Sequence, residues 1–370
     1  MAKKTSGGRA TFELPGGAGA AALEQAVREA AQGDAWAAAA RLPTSRELGR
    51  IYGVSNATVS RLLDRLARDG VVWRRPNGRY YRAEGARLFA EPKTYACLLR
   101  HLEHWSRVYL GVMSGFSRDF VRNQEAMLLV HNESLVRHVD TSRSPIHAGV
   151  AAQTHALEEF LAVPRPNLSG ALLDDVWRDE VLEPLLPRLG VAVVVCRPTR
   201  LAGLSSVAPD FAGAALAAIG HLYARGCERV VVAVPFTGAA PIDLMVAAAR
   251  SAAAHLGRPL GADEVILAST AEKRRRIVDL MRNGRGRIGV FCPEDNVSLQ
   301  LYHECRAAGI SFPRDAALVS GMGTDVVVPA GLSTLCIDYA EIGRTAAQIL
   351  RDRFVQRVVL PAQLRIGTTS

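Results

Sequence analysis

Arginines and small polar residues are spaced along residues 42–82 in a way that suits contact with nucleic acid. Arg46 stands near the start of one helical pattern, and Asn56, Ser60 and Arg61 stand near the start of the next. Asparagine and serine side chains hydrogen-bond to base edges, and arginine binds guanine edges and phosphates. This chemistry, carried on two short helices, predicts a surface that reads double-stranded DNA.

Two capped helices are predicted to position these residues. Thr44 and Glu47 have the spacing of a capping box, so the first helix begins there, and Gly53 ends it. Its predicted inner side consists of Leu48, Ile51 and Tyr52. Ser55 caps the second helix, whose apolar residues recur at i, i+3, i+4 and i+7. That predicted buried stripe is Val59, Leu62, Leu63 and Leu66.

A basic hairpin is predicted directly after the second helix. Residues 71–82 form two strand patterns around the turn sequence Pro76-Asn77-Gly78, with Arg74, Arg75, Arg79 and Arg82 beside it. A further helix over residues 20–34 closes a small core. A surface pair of helices would explain the two helical patterns but not the basic hairpin over residues 71–82, which we call the wing. The order of two helices followed by a wing predicts a winged helix-turn-helix domain.

The positive charge of the chain is concentrated in this part. Of the net charge of +9 over 370 residues, residues 1–90 hold +7 (15 Lys+Arg, 8 Asp+Glu) and the remainder +2 (30 and 28). A basic module that meets a polyanion has this asymmetry. The sequence shows no apolar membrane span or signal region, and its six cysteines form no C-x-x-C pair. We therefore predict a cytoplasmic, nucleoid-associated protein.

The segment "LPTSRELGRIYGVSNATVSRLLDRLARDGVVWRRPNGRYYR" resembles the head of the GntR family of bacterial transcription regulators. The resemblance implies DNA contacts from the first helix, the start of the second and the wing. The predicted DNA-binding residues are Arg46, Ser55, Asn56, Ala57, Thr58, Ser60, Arg61, Arg75, Asn77 and Arg79. Asn56 and Ser60 stand where the family often has arginines, so the resemblance implies no particular operator sequence.

From Tyr95 onward, short apolar strand patterns alternate with helical patterns. This alternation predicts buried parallel sheets with helices on both faces. It occurs in two stretches of similar size, which predicts two α/β lobes. Ligands of open α/β sheets bind beyond the carboxyl ends of the strands, so two facing lobes form a cleft for a small molecule.

The segments "PDFAGAALAAIGHLYARGCERVVVAVP" and "GVFCPEDNVSLQLYHECRAAGISFPRDAALVSGM" resemble the LacI/GalR-type sensor, a periplasmic-binding-protein-like fold. The run from Asp295 to Gly323 is most similar to sugar regulators of the xylose and arabinose type. The predicted fold class is α/β, a small winged helix-turn-helix domain plus a two-lobed domain with parallel sheets. The predicted boundaries are a flexible N-terminal arm 1–18, the head 19–82, a linker 83–94, lobe 1 at about 95–206 and 334–354, and lobe 2 at about 207–333 and 355–370.

The same resemblance implies an effector site at the strand ends of both lobes. Carboxylate and guanidinium pairs hold hydroxyls, and an aromatic face stacks on a sugar ring. The implied effector-binding residues are Trp105, Arg107, Asp174, Arg197, Asp210, Asp295 and Asn296. The family usually has a ligand-gripping arginine at the start of a second-lobe helix, where this chain has Asp243, Leu244 and Met245. The alternative of a less polar or non-sugar effector therefore stays open.

Together these features predict a ligand-responsive bacterial transcription repressor. It binds operator DNA as a homodimer, and a small molecule in the cleft, predicted to be a sugar, changes its affinity. A solute-binding protein for uptake would share the body without needing the wing. An enzyme would need a clustered nucleophile, a cofactor loop or metal ligands, none of which is apparent in the sequence, so no catalytic residue, cofactor, metal or membrane partner is predicted.

Overall fold

The computed structural model describes residues 13–33, 36, 41–74, 78–83, 93–99, 107–123, 125–130, 136–137, 146–147, 149–165, 167–284 and 286–370. The protein forms two compact units, Met1–Lys93 and Thr94–Ser370, which are described separately.

The first unit is a winged helix-turn-helix domain, as predicted. Its helices are α1 (Gly19–Gln32), α2 (Ser45–Tyr52) and α3 (Asn56–Arg68). The wing strands β1 (Val72–Arg74) and β2 (Tyr80–Arg82) pair antiparallel, with Trp73 opposite Tyr81. The described part of the wing therefore follows α3 directly.

Side-chain caps set the boundaries of α2 and α3. The Thr44 hydroxyl accepts a hydrogen bond from the Glu47 N–H at 3.2 Å, and the Glu47 carboxylate accepts one from the Thr44 N–H at 2.6 Å. Gly53 ends α2 with a φ of 66°, a left-handed conformation that favours glycine. Ser55 caps α3 by accepting from the Thr58 N–H at 3.1 Å. The predicted capping box and caps are confirmed.

The apolar stripe of α3 lies in the core of the head, packed against Leu23 of α1 and Trp36. The prediction for Ile51 is wrong, because this side chain is 41% exposed. The buried face of α2 consists of Leu48, Gly49 and Tyr52, and Ile51 lies outside it. Glycine is needed there because a Cβ on Gly49 would lie 2.7 Å from the Val54 carbonyl oxygen.

The second unit begins with alternating strands and helices. In chain order these are β3 (Lys93–Leu98), α4 (Arg107–Ser117), α5 (Phe120–Asn123), β4 (Glu125–Val130), β5 (Val136–Arg137), β6 (Ile146–His147), α6 (Val150–Ala162), β7 (Leu168–Leu173), α7 (Asp179–Leu182), α8 (Leu186–Leu189), β8 (Ala192–Val195) and β9 (Ser205–Pro209). A 3₁₀ turn over Glu183–Leu185 separates α7 from α8, because Pro184 and Pro187 interrupt what would otherwise be one continuous helix.

The middle stretch builds the other lobe. Its elements are α9 (Phe211–Ala224), β10 (Arg229–Val234), α10 (Ala240–His255), β11 (Val265–Leu267), α11 (Ala271–Asn283), β12 (Ile288–Cys292), α12 (Asp295–Ala307), β13 (Ala316–Ser320) and β14 (Ser333–Ile337). The chain ends with α13 (Tyr339–Asp352), β15 (Arg357–Leu360) and β16 (Ala362–Arg365).

Two six-stranded sheets form the cores of the lobes, as predicted. The lobe 1 sheet has the order β15-β9-β8-β7-β3-β4, and the lobe 2 sheet has the order β11-β10-β12-β13-β14-β16. In lobe 2 all neighbours are parallel except β16, which pairs antiparallel with β14. Val290 on the central strand β12 lies between Val231 and Leu318, and all three are buried.

The chain passes between the lobes at three places, after β9, after β14 and after β15. At each of these places the observed lobe boundary lies a few residues away from the predicted one. Strand β9 keeps 207–209 in lobe 1, β14 places 334–337 in lobe 2, and β15 returns 357–360 to lobe 1. Each strand completes its pairing within one sheet before the chain crosses, and apolar pattern alone does not show which sheet it joins.

Helices α4 and α13 pack against each other through glycines in lobe 1. A Cβ on Gly115 would lie 1.8 Å from the Ala340 carbonyl oxygen, and one on Gly343 would lie 1.9 Å from the Val112 carbonyl oxygen. These backbones approach as closely as they do because neither position carries a side chain. The packing fixes Tyr339, the first residue of α13, against lobe 1.

We expect Gly115→Ala to lower the free energy of unfolding by about 2–3 kcal/mol, since the helices must separate to admit the methyl group. Gly220→Ala in α9 is the matched control, because its Cβ would meet only Leu256 Cδ1 at 3.9 Å. That change is expected to be neutral or stabilising by up to about 1 kcal/mol. Denaturant unfolding of both variants measures the difference, and equal stability would contradict the close packing.

Candidate functional site

The outer face of the recognition helix α3 presents the predicted DNA-reading residues. Asn56, Ala57 and Arg61 are exposed, and Thr58 and Ser60 are half-buried. The Ser55 hydroxyl is 2.8 Å from the Thr58 hydroxyl, so both are held at the start of the helix. Small side chains at this end leave room for a close approach to base edges.

Other arginines of the head are used within the fold. Arg28 donates to Asp69 at 2.7 Å and ties α1 to the end of α3. Tyr80 donates to Asp64 at 2.6 Å, and Arg74 lies 3.6 Å from the same carboxylate, which ties the wing to α3. Burial and Asp64 raise the pKa of Tyr80 to about 12, so this hydroxyl stays protonated as a donor.

The remaining residues that were predicted to contact DNA differ in how exposed they are, and two of them are not described by the structure. Arg46 is exposed on α2, close in sequence to its capping box. Arg79 is half-buried before β2. Arg75 and Asn77 lie outside the described residues. The structure therefore describes exposed arginines on α2 and α3 and a half-buried arginine just before β2.

A cleft of about 660 Å³ lies in the second unit, between the carboxyl ends of the two parallel sheets. Its walls combine residues from both lobes and from the crossings between them. They are mostly apolar and include Tyr109, Phe211, Phe236, Ile242, Met245, Met322, Val326, Ile337 and Tyr339. A cavity of this size and character accommodates a small organic molecule.

At two of the crossings between the lobes, an aspartate caps a helix and the next residue is an aromatic side chain that lines the cleft. At the first, Asp210 caps α9 by accepting from the Gly213 N–H at 2.9 Å, and Phe211 follows it. At the second, Asp338 caps α13 by accepting from the Glu341 N–H at 2.8 Å, and Tyr339 follows it. Each cap starts a helix one residue after the crossing and so positions the ring.

Asp295 is buried at the lobe 2 side of the cleft, and both of its carboxylate oxygens are fully bonded. One accepts from the Ser320 hydroxyl and from the Met322 N–H at 3.1 Å. The other accepts from the N–H and the hydroxyl of Thr324, each at 2.7 Å. Four donors saturate a carboxylate, so this residue ties α12 to the loop after β13.

Glu294 and Asn296 flank this carboxylate and bond to each other. Glu294 caps α12 by accepting from the Asn296 N–H at 3.0 Å and the Val297 N–H at 2.8 Å, and the Asn296 amide donates to it at 2.8 Å. Burial raises the pKa of Glu294 even though these bonds favour its charged form. Both residues line the cleft.

Arg107 stands at the start of α4 in lobe 1 and forms an ion pair with Asp325 of lobe 2. Both side chains are largely exposed, and Arg107 also lines the cleft. The pair therefore bridges the lobes at the mouth of the cleft. An exposed pair of this kind contributes about 0.2–1 kcal/mol, enough to bias an opening equilibrium without locking it.

Three of the effector residues implied by the resemblance are not at the cleft. Asp174 is buried and accepts from the Val176 N–H at 3.2 Å, and Asp210 is the helix cap described above. Arg197 pairs with Asp179 at 2.8 Å and lines a separate cavity of about 290 Å³ that shares Asp175 with the cleft. Arg107, Asp295 and Asn296 do line the cleft, and Trp105 lies outside the described residues.

The sequence interpretation missed Asp175 and the apolar wall of the cleft. Asp175 lines the cleft where Asp174 was expected, because neighbouring residues here point in different directions. A usable signal for Phe211 and Tyr339 was present, since each follows an aspartate that comes directly after a strand. Tyr109 and Phe236 are not preceded by such an aspartate, so the sequence nearby gave no signal for them.

The charges that face the cleft are predominantly negative. Burial raises the pKa of Tyr339 well above its ordinary value, and Cys196, Asp295 and Asp175 raise it further. Asp175 of lobe 1 and Asp295 of lobe 2 therefore act on the same hydroxyl. Within the described residues, no His, Cys, Asp and Glu side chains are grouped as a metal site, and no helix is both long and apolar enough to cross a membrane.

One chain that carries both a winged helix-turn-helix head and a two-lobed domain with its own cleft has the parts of a DNA-binding regulator with a sensor. Residues 20–81 match the bacterial regulatory proteins of the gntR family, and residues 219–370 match the periplasmic binding protein-like domain. The chain therefore combines a gntR-family DNA-binding domain with a periplasmic-binding-protein-like domain, and it is a transcription regulator.

Solved regulators share the fold at low sequence identity. The transcriptional regulator CelR in complex with cellobiose is 18% identical with a TM-score of 0.62, covering 89% of this chain and 100% of its own. A LacI family regulator from Enterococcus faecium with bound ribose is 18% identical (TM-score 0.58, 75% and 98%). CcpA of Lactococcus lactis is 14% identical (TM-score 0.59, 75% and 99%). Among curated proteins, none matches the sequence.

We expect Asp295→Asn to lower the free energy of unfolding by about 2–4 kcal/mol, because an amide cannot accept from all four donors and buried donors lose their partner. The exposed Asp279 on α11 provides the control, and its change to Asn should stay within about 0.5 kcal/mol. Thermal and denaturant unfolding compare the two. Equal stability of both variants would show that the bonds to Asp295 do not hold this wall.

Proposed function

We propose that this chain is a transcription repressor that binds operator DNA as a homodimer and senses a small molecule in the cleft between its lobes. The observation that carries the proposal is a single chain that joins a basic recognition helix to a cleft of about 660 Å³ between two lobes. Such a protein acts where the chromosome is, so we place it in the cytoplasm, at the nucleoid.

In the proposed mechanism the effector binds the closed cleft more tightly than the open one. Ligand binding then shifts the population toward closure and changes the separation of the two heads in the dimer. Half-sites on one face of the duplex are about 34–36 Å apart, so a modest rotation of the lobes weakens simultaneous docking. The Arg107–Asp325 pair, which bridges the lobes at the mouth of the cleft, is one contact that favours closure.

A sugar was the effector predicted from sequence, and two structurally similar regulators are bound to ribose and cellobiose. The geometry of this cleft supports a less polar ligand. Its polar side chains on the lobe 2 side already bond one another, and its walls are apolar. Sugar hydroxyls buried against such walls would lose water without gaining partners.

We expect Arg61→Ala and Arg79→Ala each to weaken binding to duplexes selected from a random library, because each removes a proposed phosphate contact. Each change should also reduce the slope of log affinity against log salt by about 1. Arg188→Ala, an exposed arginine of lobe 1, is the control and should change neither quantity. Unchanged affinity and slope in both head variants would refute the proposed DNA face.

We expect Asp325→Asn to tighten operator binding by up to about fivefold in the absence of effector, since it removes an exposed pair that favours closure. Small-angle scattering should show a more open sensor. Asp315→Asn removes an exposed pair with Arg314, 2.8 Å away within lobe 2, and should leave operator affinity and scattering unchanged. An opened sensor with unaltered operator affinity would contradict coupling between cleft and DNA.

A further inference from the structure

The cleft combines aromatic walls with an excess of carboxylates. Asp175, Glu294 and Asp295 line it, and among the described lining residues Arg107 is the one basic side chain. Arg107 is itself paired with Asp325. The described lining residues therefore contribute a negative field to the cleft, and apolar walls of low dielectric strengthen it.

These charges come from both lobes and meet at one place. Asp175 follows the lobe 1 strand β7, whereas Asp295 begins the lobe 2 helix α12. Both act electrostatically on the hydroxyl of Tyr339, which lies at the crossing between the lobes. Asp175, Asp295 and Tyr339 all line this one cleft.

The smaller cavity of about 290 Å³ continues this pattern. It shares Asp175 and Ala239 with the cleft and adds Asp179, Glu180 and Asp243. Its two arginines are Arg178 and Arg197, of which Arg197 pairs with Asp179. The approach to Asp175 is therefore acidic as well.

Four aromatic rings complete the environment. Tyr109 comes from α4, Phe211 and Tyr339 from two crossings, and Phe236 from the loop after β10. Aromatic faces attract organic cations, and this attraction becomes stronger where water is excluded. Methionines 245 and 322 add adaptable apolar contacts.

We propose that the effector is an organic cation: an apolar or aromatic body that carries an ammonium or amidinium group. The body lies against the aromatic and methionine walls, and the cationic group lies near Tyr339 between Asp175 and Asp295. An anionic ligand is repelled by the same field. A neutral polyol carries no net charge and gains little from this field. This inference rests on the proposed sensing role of the cleft.

Calorimetry on the full-length protein tests the charge preference with three compounds that share one indole body. Tryptamine carries an ammonium group, tryptophol a neutral hydroxyl and indole-3-propionate a carboxylate. We expect tryptamine to bind at least about tenfold more tightly than tryptophol, a difference of about 1.4 kcal/mol. Indole-3-propionate and ribose should bind more weakly than either. Tryptophol equal to tryptamine, preference for the acid or for ribose, or no binding by any probe overturns the proposal.

The variant Asp175→Asn tests whether the cationic group binds near Asp175. It should reduce tryptamine affinity about tenfold and leave tryptophol affinity unchanged, and unchanged tryptophol binding also shows that the variant is folded. Asp279→Asn makes the same charge change on an exposed face of α11 and should alter neither affinity. Equal loss for both indole compounds, or no selective loss, would overturn the assignment of the cation to this place.

A parallel measurement of operator binding separates this inference from the proposed function. If tryptamine binds selectively but leaves operator affinity unchanged, the ligand class holds and the sensing role fails. If ribose alters operator affinity and the amines do not bind, the sensing role holds and the ligand class fails.

Discussion

The sensor cleft depends on one buried charge, the carboxylate of Asp295. A carboxylate out of water must be compensated, and four hydrogen bonds from Ser320 at the end of β13 and from the loop after it do this. Because β12 and β13 are neighbouring parallel strands, these bonds join the segments that leave them at the same edge of the sheet. They also fill the oxygens that would otherwise hold a ligand hydroxyl. The residue thus builds the wall and contributes charge, but has no free acceptor.

The opposite wall depends on steric constraints rather than charge. Gly115 and Gly343 allow α4 and α13 to touch through their backbones, which places Tyr109 and Tyr339 on one side of the cleft. The cap at Asp338 starts α13 immediately after the crossing from lobe 2. Close helix packing and a one-residue connection together leave the Tyr339 ring little choice of position. The cleft is therefore shaped by elements that belong to the fold of both lobes.

Local signals made the head predictable from sequence. The capping box at Thr44, the left-handed Gly53 and the stripe from Val59 to Leu66 each specify structure within a few residues. The cleft was less predictable because its parts are distant in sequence. Whether Asp174 or Asp175 faces it depends on how β7 ends against its neighbours, and Arg197 is directed away by pairing with Asp179. Strand alternation identified two sheets, but only pairing decided which one received 207–209 and 357–360.

In the proposed function, opposite charges on the head and in the cleft keep the two binding events separate. The first 90 residues carry a net +7, which suits a polyanionic partner, whereas carboxylates outnumber basic groups in the cleft. The proposed cationic effector would therefore not be attracted to the proposed DNA surface, and DNA phosphates would not be attracted to the cleft. The two also differ in their response to salt. Contacts to exposed phosphates weaken steeply as counterions accumulate, while charges enclosed by apolar walls are screened much less. Under this arrangement, ionic strength alters how tightly the head holds its operator far more than how tightly the sensor holds its ligand.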